Sequence, residues 1–204
     1  YDSVLLSMVD LLEQARRTSA RAVNAIMTAT YWEIGRRIVE LEQGGKKRAD
    51  YGEKLLKNLS KDLTQKFGRG FSERNLEQIR LFYSTYKISQ TLTAKFNLTE
   101  LAQQFPLNWS HYVLLLRYAD DQNQREFYET ETLRGGWTVR QLKRQMNSAF
   151  YTRTLLSKNK ASMLKTGEIA NPEDYVSPEE EIKDPFVLEF LNLKDEYSET
   201  ELEA

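Results

Sequence analysis

The sequence has no cysteine and only one histidine, His111, among its 204 residues. Without thiols the chain can form neither disulfides nor thiolate metal sites, which fits a reducing cytoplasm. No apolar run approaches the roughly 18 residues of a membrane span, and no signal peptide opens the chain. Walker A, GxGxxG and HExxH patterns are missing too. We therefore expect a cytoplasmic protein with no membrane partner, no cofactor and no small-molecule substrate.

Positive and negative charges are divided unevenly along the chain. Residues 167–204 carry 13 Asp and Glu against two Lys, whereas residues 1–166 carry 27 Lys and Arg against 17 Asp and Glu. The net charge of −1 therefore conceals a body of +10 and a tail of −11. A basic body favours a polyanionic partner. The alternative is a helical protein whose acidic tail is merely solvated.

Apolar residues recur at helical spacing through most of residues 1–156, and there is little strand pattern. We predict a mostly α, multi-helix domain over 1–156. A short β-hairpin or a short helix is allowed just before Leu98, and a weak patch from 16 to 21 could divide the first helix. The predicted helices span 4–41, 52–67, 73–87, 98–105, 109–118, 124–133 and 138–156.

From residue 157 the composition becomes polar and is interrupted by prolines, which predicts a linker or an extended acidic arm over 157–183. A short helix is predicted over 186–191, within a last segment of 184–204. Ser198 and Glu201 have the spacing of a capping box. Because a helix start lies so close to the last residue, we expect the chain to be a fragment that ends at the start of a further domain.

Residues that could carry chemistry are few. His111 lies beside an apolar helix face, which favours a packed, hydrogen-bonded histidine over a metal ligand or a Ser–His pair. Glu181 and Lys183 form an E-x-K pattern downstream of Asp174, as in metal-dependent nucleases. That chemistry needs carboxylates on adjacent strands, and this segment has no strand pattern. We predict no catalytic residue and no metal site here.

The stretch KFGRGFSERNLEQIRLFYSTY, residues 66–86, has the pattern of a turn followed by a helix. Ser72 is a good N-cap, and Phe71 with Leu76 has the spacing of a hydrophobic staple. Such a unit can act as a helix-turn-helix, in which the start of the second helix contacts bases. The outward face of this helix predicts base contacts from Arg74, from Gln78 and, at the edge of that face, from Asn75. Phosphate contacts are predicted nearby from Lys46, Lys47, Arg48 and Arg69.

Two features keep other interpretations open. Leu81 is expected to point outward beside Arg74, which suits a protein contact at least as well as a DNA groove. A second basic helix start offers a rival phosphate surface of Arg140, Lys143 and Arg144. The alternative function is a helical interaction module, in which the helix at 4–41 packs against a second copy as a homodimer.

Five blocks together resemble the N-terminal domain of bacterial YhcG-type proteins, which is classed as a domain of unknown function. They are YWEIGRRIVE (31–40), YGEKLLKNLSKDLTQKFGRGFSERNLEQIRLFY (51–83), LNWSHYVLLLR (107–117), REFYETETLRGGWTVRQLKRQ (125–145) and IKDPFVLEFL (182–191). The resemblance implies a winged-helix-like DNA-binding module that precedes a PD-(D/E)xK nuclease-like domain. That domain would begin near YSETELEA, where this sequence ends. Divalent metal is expected only there, and the expected partner of the present chain is duplex DNA.

Overall fold

The computed structural model describes residues 1–44, 49–68, 70–88, 97–119, 121–176, 180 and 185–191. Within these ranges the chain is helical and contains no strand, as the sequence predicts. The α-helices are α1 (Asp2–Gly44), α2 (Ala49–Phe67), α3 (Glu73–Thr85), α4 (Leu98–Ala102), α5 (Trp109–Tyr118), α6 (Gln122–Gly135), α7 (Val139–Asn147), α8 (Phe150–Leu156), α9 (Lys160–Glu168) and α10 (Pro185–Phe190), with a 3-10 turn at Pro172–Asp174.

Helix α1 is continuous, so the alternative of a break between Arg16 and Arg21 is wrong. That patch contains neither Gly nor Pro, and the Thr18 hydroxyl donates to the Gln14 carbonyl at 2.8 Å without interrupting the helix. Its 43 residues make it about 65 Å long. The first residue of α1 to be buried is Ala20. The described part of the chain buries no residue of the preceding five turns.

The core forms where α1 crosses α3. A Cβ on Gly35 would lie 2.4 Å from the Ile79 carbonyl oxygen, so glycine is required for the two backbones to approach this closely. Beside this crossing Trp32 is buried, and its indole Nε1 donates to the Tyr86 carbonyl at 2.6 Å. The α1–α3 crossing thereby fixes the position of α3 in the body. Buried rings surround it, among them Tyr31, Phe82, Phe105, Trp109 and Tyr112.

Helices α5 to α8 form the rest of the core around Trp137, Leu142 and Phe150. One long helix was predicted over 138–156, but the structure divides it into α7 and α8 at Ala149, which has a left-handed φ of 51°. Thr138 and Gln141 have the spacing of a capping box at the start of α7, and half of that box is present. Its hydroxyl accepts from the Gln141 backbone N–H at 3.2 Å, while the Gln141 side chain donates to the Gly167 carbonyl instead.

The predicted arm is not extended throughout, since it contains α9 and the 3-10 turn. Helix α9 packs closely against α8 because Gly167 has no side chain. A Cβ there would lie 2.5 Å from the ring of Phe150. The short helix predicted over 186–191 is present as α10, with Val187 buried and Phe190 edge-on to Tyr31 at 5.9 Å. The segment before Asn97 that could hold a hairpin, and the capping box at Ser198, lie outside the described residues.

Candidate nucleic-acid interface

The α2–α3 connection has the geometry that its sequence predicts. Gly68 and Gly70 adopt left-handed φ values of 82° and 99°, which turn the chain sharply after α2. Ser72 then caps α3, and its hydroxyl accepts from the Asn75 backbone N–H at 3.3 Å. Phe71 and Leu76 are both buried, as a hydrophobic staple requires. The cap and the buried pair therefore fix where α3 begins.

Asn75 does not lie at an exposed edge as predicted, since only 6% of its surface is exposed. Its amide Nδ2 donates to the Gly70 carbonyl at 2.6 Å. This bond ties the helix start to the turn and leaves the side chain inside the protein. Because a base reader must reach beyond the protein surface, the assignment of Asn75 as an edge residue that contacts adenine is corrected to a structural one.

Arg74 is exposed and Gln78 is half-buried. Leu81 points outward as predicted, with 48% of its surface exposed. Glu73 and Glu77 are also exposed at the start of α3. The single arginine is thus flanked by two carboxylates. This composition suits contacts to base edges better than contacts to phosphates, because carboxylates repel the backbone of DNA.

Helix α2 carries a lysine stripe that the sequence analysis missed. Lys54, Lys57 and Lys61 are exposed, and their spacing of three and four residues puts them on one face of the helix. None of them forms a salt bridge within the described part of the chain. The sequence could have revealed the stripe, because four leucines mark the opposite, apolar face of α2. They are Leu55, Leu56, Leu59 and Leu63.

The stripe contrasts with several arginines of the body, which are paired with carboxylates. Arg80 pairs with Glu42 at 2.9 Å. Arg36 pairs with both Glu33 and Glu40. The four cations predicted to hold phosphates near α3, Lys46, Lys47, Arg48 and Arg69, lie outside the described residues, and their role stays a prediction.

The rival surface at α7 is partly covered by acidic residues from the C-terminal segment. Arg144 pairs with Asp174 at 2.5 Å, and Arg140 lies 3.4 Å from Glu180. Asp174 is 4% exposed. Burial alone would raise the pKa of Asp174, but hydrogen bonds from Arg144 and from the Asn171 backbone N–H lower it below its usual value. Of the three predicted cations only Lys143 lacks an acidic partner within the described ranges.

An open groove of about 730 Å³ lies next to this surface, between the first turns of α5 and α7. Its wall includes His111, whose Nε2 donates to the Trp137 carbonyl at 3.0 Å. Burial lowers the pKa of His111 to about 4, although the hydrogen bond to Trp137 favours the charged form. The ring is therefore neutral at pH 7, and the expectation of a packed, hydrogen-bonded histidine is confirmed.

Two further properties concern the described residues only. They contain no group of three or more His, Asp or Glu side chains arranged to hold a metal ion. None of the helices in the described ranges combines the length and the apolar character that a membrane crossing requires.

The chain belongs to a protein family that is defined by sequence. Residues 7–153 match the family described as DUF1016 N-terminal domain. The protein named "Putative nuclease YhcG" in Escherichia coli (strain K12) is 48% identical over 224 aligned residues, which cover 100% of this chain and 59% of that protein. The chain thus spans about three fifths of its relative, and the predicted resemblance is confirmed. No solved structure matches the chain.

Proposed function

We propose that this chain is the non-catalytic, DNA-binding part of a nuclease and that it positions the enzyme on duplex DNA. In this proposal α2 and α3 act as a helix-turn-helix within a winged-helix-like body. Bond cleavage, and the divalent metal that it needs, belong to the nuclease-like domain of the longer relatives. The name of the relative, 48% identical to this chain, supports the link to nucleic acid.

The observation that carries the proposal is the lysine stripe of α2. Lys54 and Lys61 are seven residues apart, which corresponds to about 10 Å along the helix axis. Over that distance the three flexible lysine side chains can reach neighbouring phosphates of one DNA strand. No carboxylate among the described side chains pairs with the stripe, and in this proposal its charges contact the phosphate backbone.

Helix α3 supplies the second element. Its N-terminal part presents Arg74 and Gln78, whose side chains suit guanine and adenine in the major groove. In helix-turn-helix proteins the first helix contacts the backbone while the second enters the groove. The division between a lysine-bearing α2 and a polar α3 face fits these two roles.

The test is a fluorescence anisotropy titration with labelled duplex DNA. The variant Lys54→Gln/Lys57→Gln/Lys61→Gln should make the negative slope of log K against log salt shallower by about 2.7, because three phosphate contacts are lost. Three exposed lysines at or next to α9 provide the matched control, Lys158→Gln/Lys160→Gln/Lys165→Gln. It removes the same charge and should leave the slope nearly unchanged.

An equal effect of the two triple variants would contradict a specific role for α2. A second comparison addresses α3. Arg74→Ala/Gln78→Ala should weaken duplex binding about tenfold or more without changing thermal stability, since Arg74 is exposed and Gln78 is not part of the buried core. Unchanged affinity would remove α3 as the reader and leave Arg140, Lys143 and Arg144 as the candidate surface.

A further inference from the structure

The end of α9 and the acidic segment that follows it, residues 169–176 and 180 of the described ranges, lie along α7. Gln141 and Gln145 of α7 both donate to the Gly167 carbonyl, at 3.1 and 3.3 Å. Further along the chain the carbonyls of Ile169 and Tyr175 accept from arginines of the same helix, each at 3.3 Å. These bonds hold the acidic segment against most of the length of α7.

Two carboxylates of the acidic segment bind two arginines of α7. Asp174 binds Arg144 through both of its oxygens, with Nη2 and Oδ2 2.5 Å apart and Nε and Oδ1 3.3 Å apart. Glu180 accepts from Nη2 of Arg140 at 3.4 Å. A guanidinium that binds a carboxylate through two N–H groups fits two oxygens of a phosphate in the same way. The carboxylates therefore occupy positions in which phosphate oxygens can bind.

The turn before α7 indicates which polyanion this surface suits. Residues 136–138 separate α6 from α7, and Gly136 among them has a left-handed φ of 59°. A turn of this length is typical of a helix-turn-helix, whose second helix contacts DNA near its N-terminal end. Arg140, Lys143 and Arg144 all lie within the first six residues of α7. The covered surface thus has the cations and the connection of a DNA-contacting helix.

The two arginines remain accessible although they are paired. The side chains of Arg140 and Glu180 are 58% and 49% exposed, and that of Arg144 is 37% exposed. Exposed ion pairs are weak, and salt weakens them further. Asp174 is the buried member of the set and holds the segment more firmly. A phosphate backbone can therefore approach both guanidinium groups, and it displaces Glu180 more easily than Asp174.

We propose that the acidic segment competes with DNA for α7, because Asp174 and Glu180 occupy two arginines that bind phosphates once the segment is displaced. The inference rests on the proposed DNA binding and adds a covered phosphate surface to the exposed stripe of α2. In the wild-type chain a phosphate at these arginines only replaces a carboxylate, so few counterions are released there. The covered surface therefore adds little to the salt dependence of binding until the carboxylates are removed.

Anisotropy titrations with labelled duplex DNA at several salt concentrations test the competition. In Asp174→Asn/Glu180→Gln both arginines can bind phosphates, so the negative slope of log K against log salt should become steeper by about 1.8. The asparagine keeps an oxygen that can accept from the Asn171 backbone N–H, now bonded to Asp174 at 2.8 Å, so the 3-10 turn should persist. Glu180→Gln alone changes only an exposed side chain and should steepen the slope by about 0.9.

Two controls separate the competition from a general effect of charge. Asp2→Asn/Asp10→Asn removes the same charge from exposed positions near the start of α1 and should keep the wild-type slope. The second control adds Arg140→Gln/Arg144→Gln to the variant that lacks both carboxylates. It should lose the steeper slope, because no guanidinium remains to bind phosphate, and it should fold because no buried charge is left unpaired.

The outcomes distinguish this inference from the proposed function. If the wild type binds DNA and the slope is unchanged in both Asp174→Asn/Glu180→Gln and Glu180→Gln, the competition alone is overturned. An equally steep slope in Asp2→Asn/Asp10→Asn would overturn it too. If only the variants without the carboxylates bind at about 50 mM salt, the competition is supported and the proposed contacts of α2 and α3 are contradicted. Absence of binding by every variant and by the wild type would overturn both.

Discussion

Replacing His111 by Gln provides a quantitative test of the packing at the start of α7, because His111 is the one histidine in the sequence. Its ring is buried, and Nε2 donates to the Trp137 carbonyl at 3.0 Å. Burial lowers the pKa of the folded protein's histidine from 6.5 to about 4. A glutamine keeps an N–H donor for that carbonyl but does not titrate.

The expected magnitude follows from proton linkage. Between pH 6.5 and pH 4 the unfolded chain binds a proton at His111 that the folded chain does not bind. The contribution of the neutral ring is fully present above pH 6.5 and is lost as the pH falls toward 4. The free energy of unfolding should fall by about 1.4 kcal/mol per pH unit, or about 3 kcal/mol over the window.

Urea unfolding followed by circular dichroism, at several values between about pH 5 and about pH 7.5, measures this loss. The carboxylates titrate in both proteins, so the difference between wild type and His111→Gln isolates the histidine. We expect the free energy of unfolding of the wild type to fall relative to that of His111→Gln as the pH falls below 6.5. Parallel curves would refute the reasoning, since they would mean that His111 titrates alike in the folded and unfolded chains.

Three other substitutions test the packing described above. Gly35→Ala should lower the free energy of unfolding by about 1–3 kcal/mol despite the better helix propensity of alanine, because its Cβ would lie 2.4 Å from the Ile79 carbonyl oxygen; an unchanged urea midpoint would contradict the close α1–α3 crossing. Trp137→Ala should cost about 3–5 kcal/mol in the same assay without changing the DNA affinity of the folded protein. Arg144→Ala should cost about 2 kcal/mol by leaving buried Asp174 unpaired, and the loss should shrink at low pH as that carboxylate is protonated.

Helices whose ends are determined by residues close to them in the sequence could be predicted from the sequence. The start of α3 at Glu73 and both ends of α5 agree with prediction. A capping hydroxyl at Ser72, glycines at the turn and a buried Phe71 are all encoded within a few residues of the helix start. Helix α2 and the last helix, α10, were also placed to within a few residues for the same reason.

Features that depend on distant partners could not be predicted in this way. Helical periodicity put Asn75 at an exposed edge, but its burial depends on the Gly70 carbonyl, which lies outside the helix. Helix α9 has weak periodicity, and it docks through the bonds of Gln141 and Gln145 to the Gly167 carbonyl.

The charges at the site illustrate the same limit. Arg140 and Arg144 are neutralised by carboxylates 40 and 30 residues further along the chain, which a sequence count of charges does not reveal. The lysine stripe of α2 is different. It is a local pattern of the same kind as the leucine face, and the sequence alone could have revealed it.

The most direct test of the central claim is the salt dependence of duplex DNA binding by the 204-residue chain. If the basic body binds the phosphate backbone through about six contacts, the slope of log K against log salt should be about −5, and affinity should fall on the order of a thousandfold between 50 and 200 mM salt. Absence of binding at 50 mM salt, or an affinity that is independent of salt, would contradict the account.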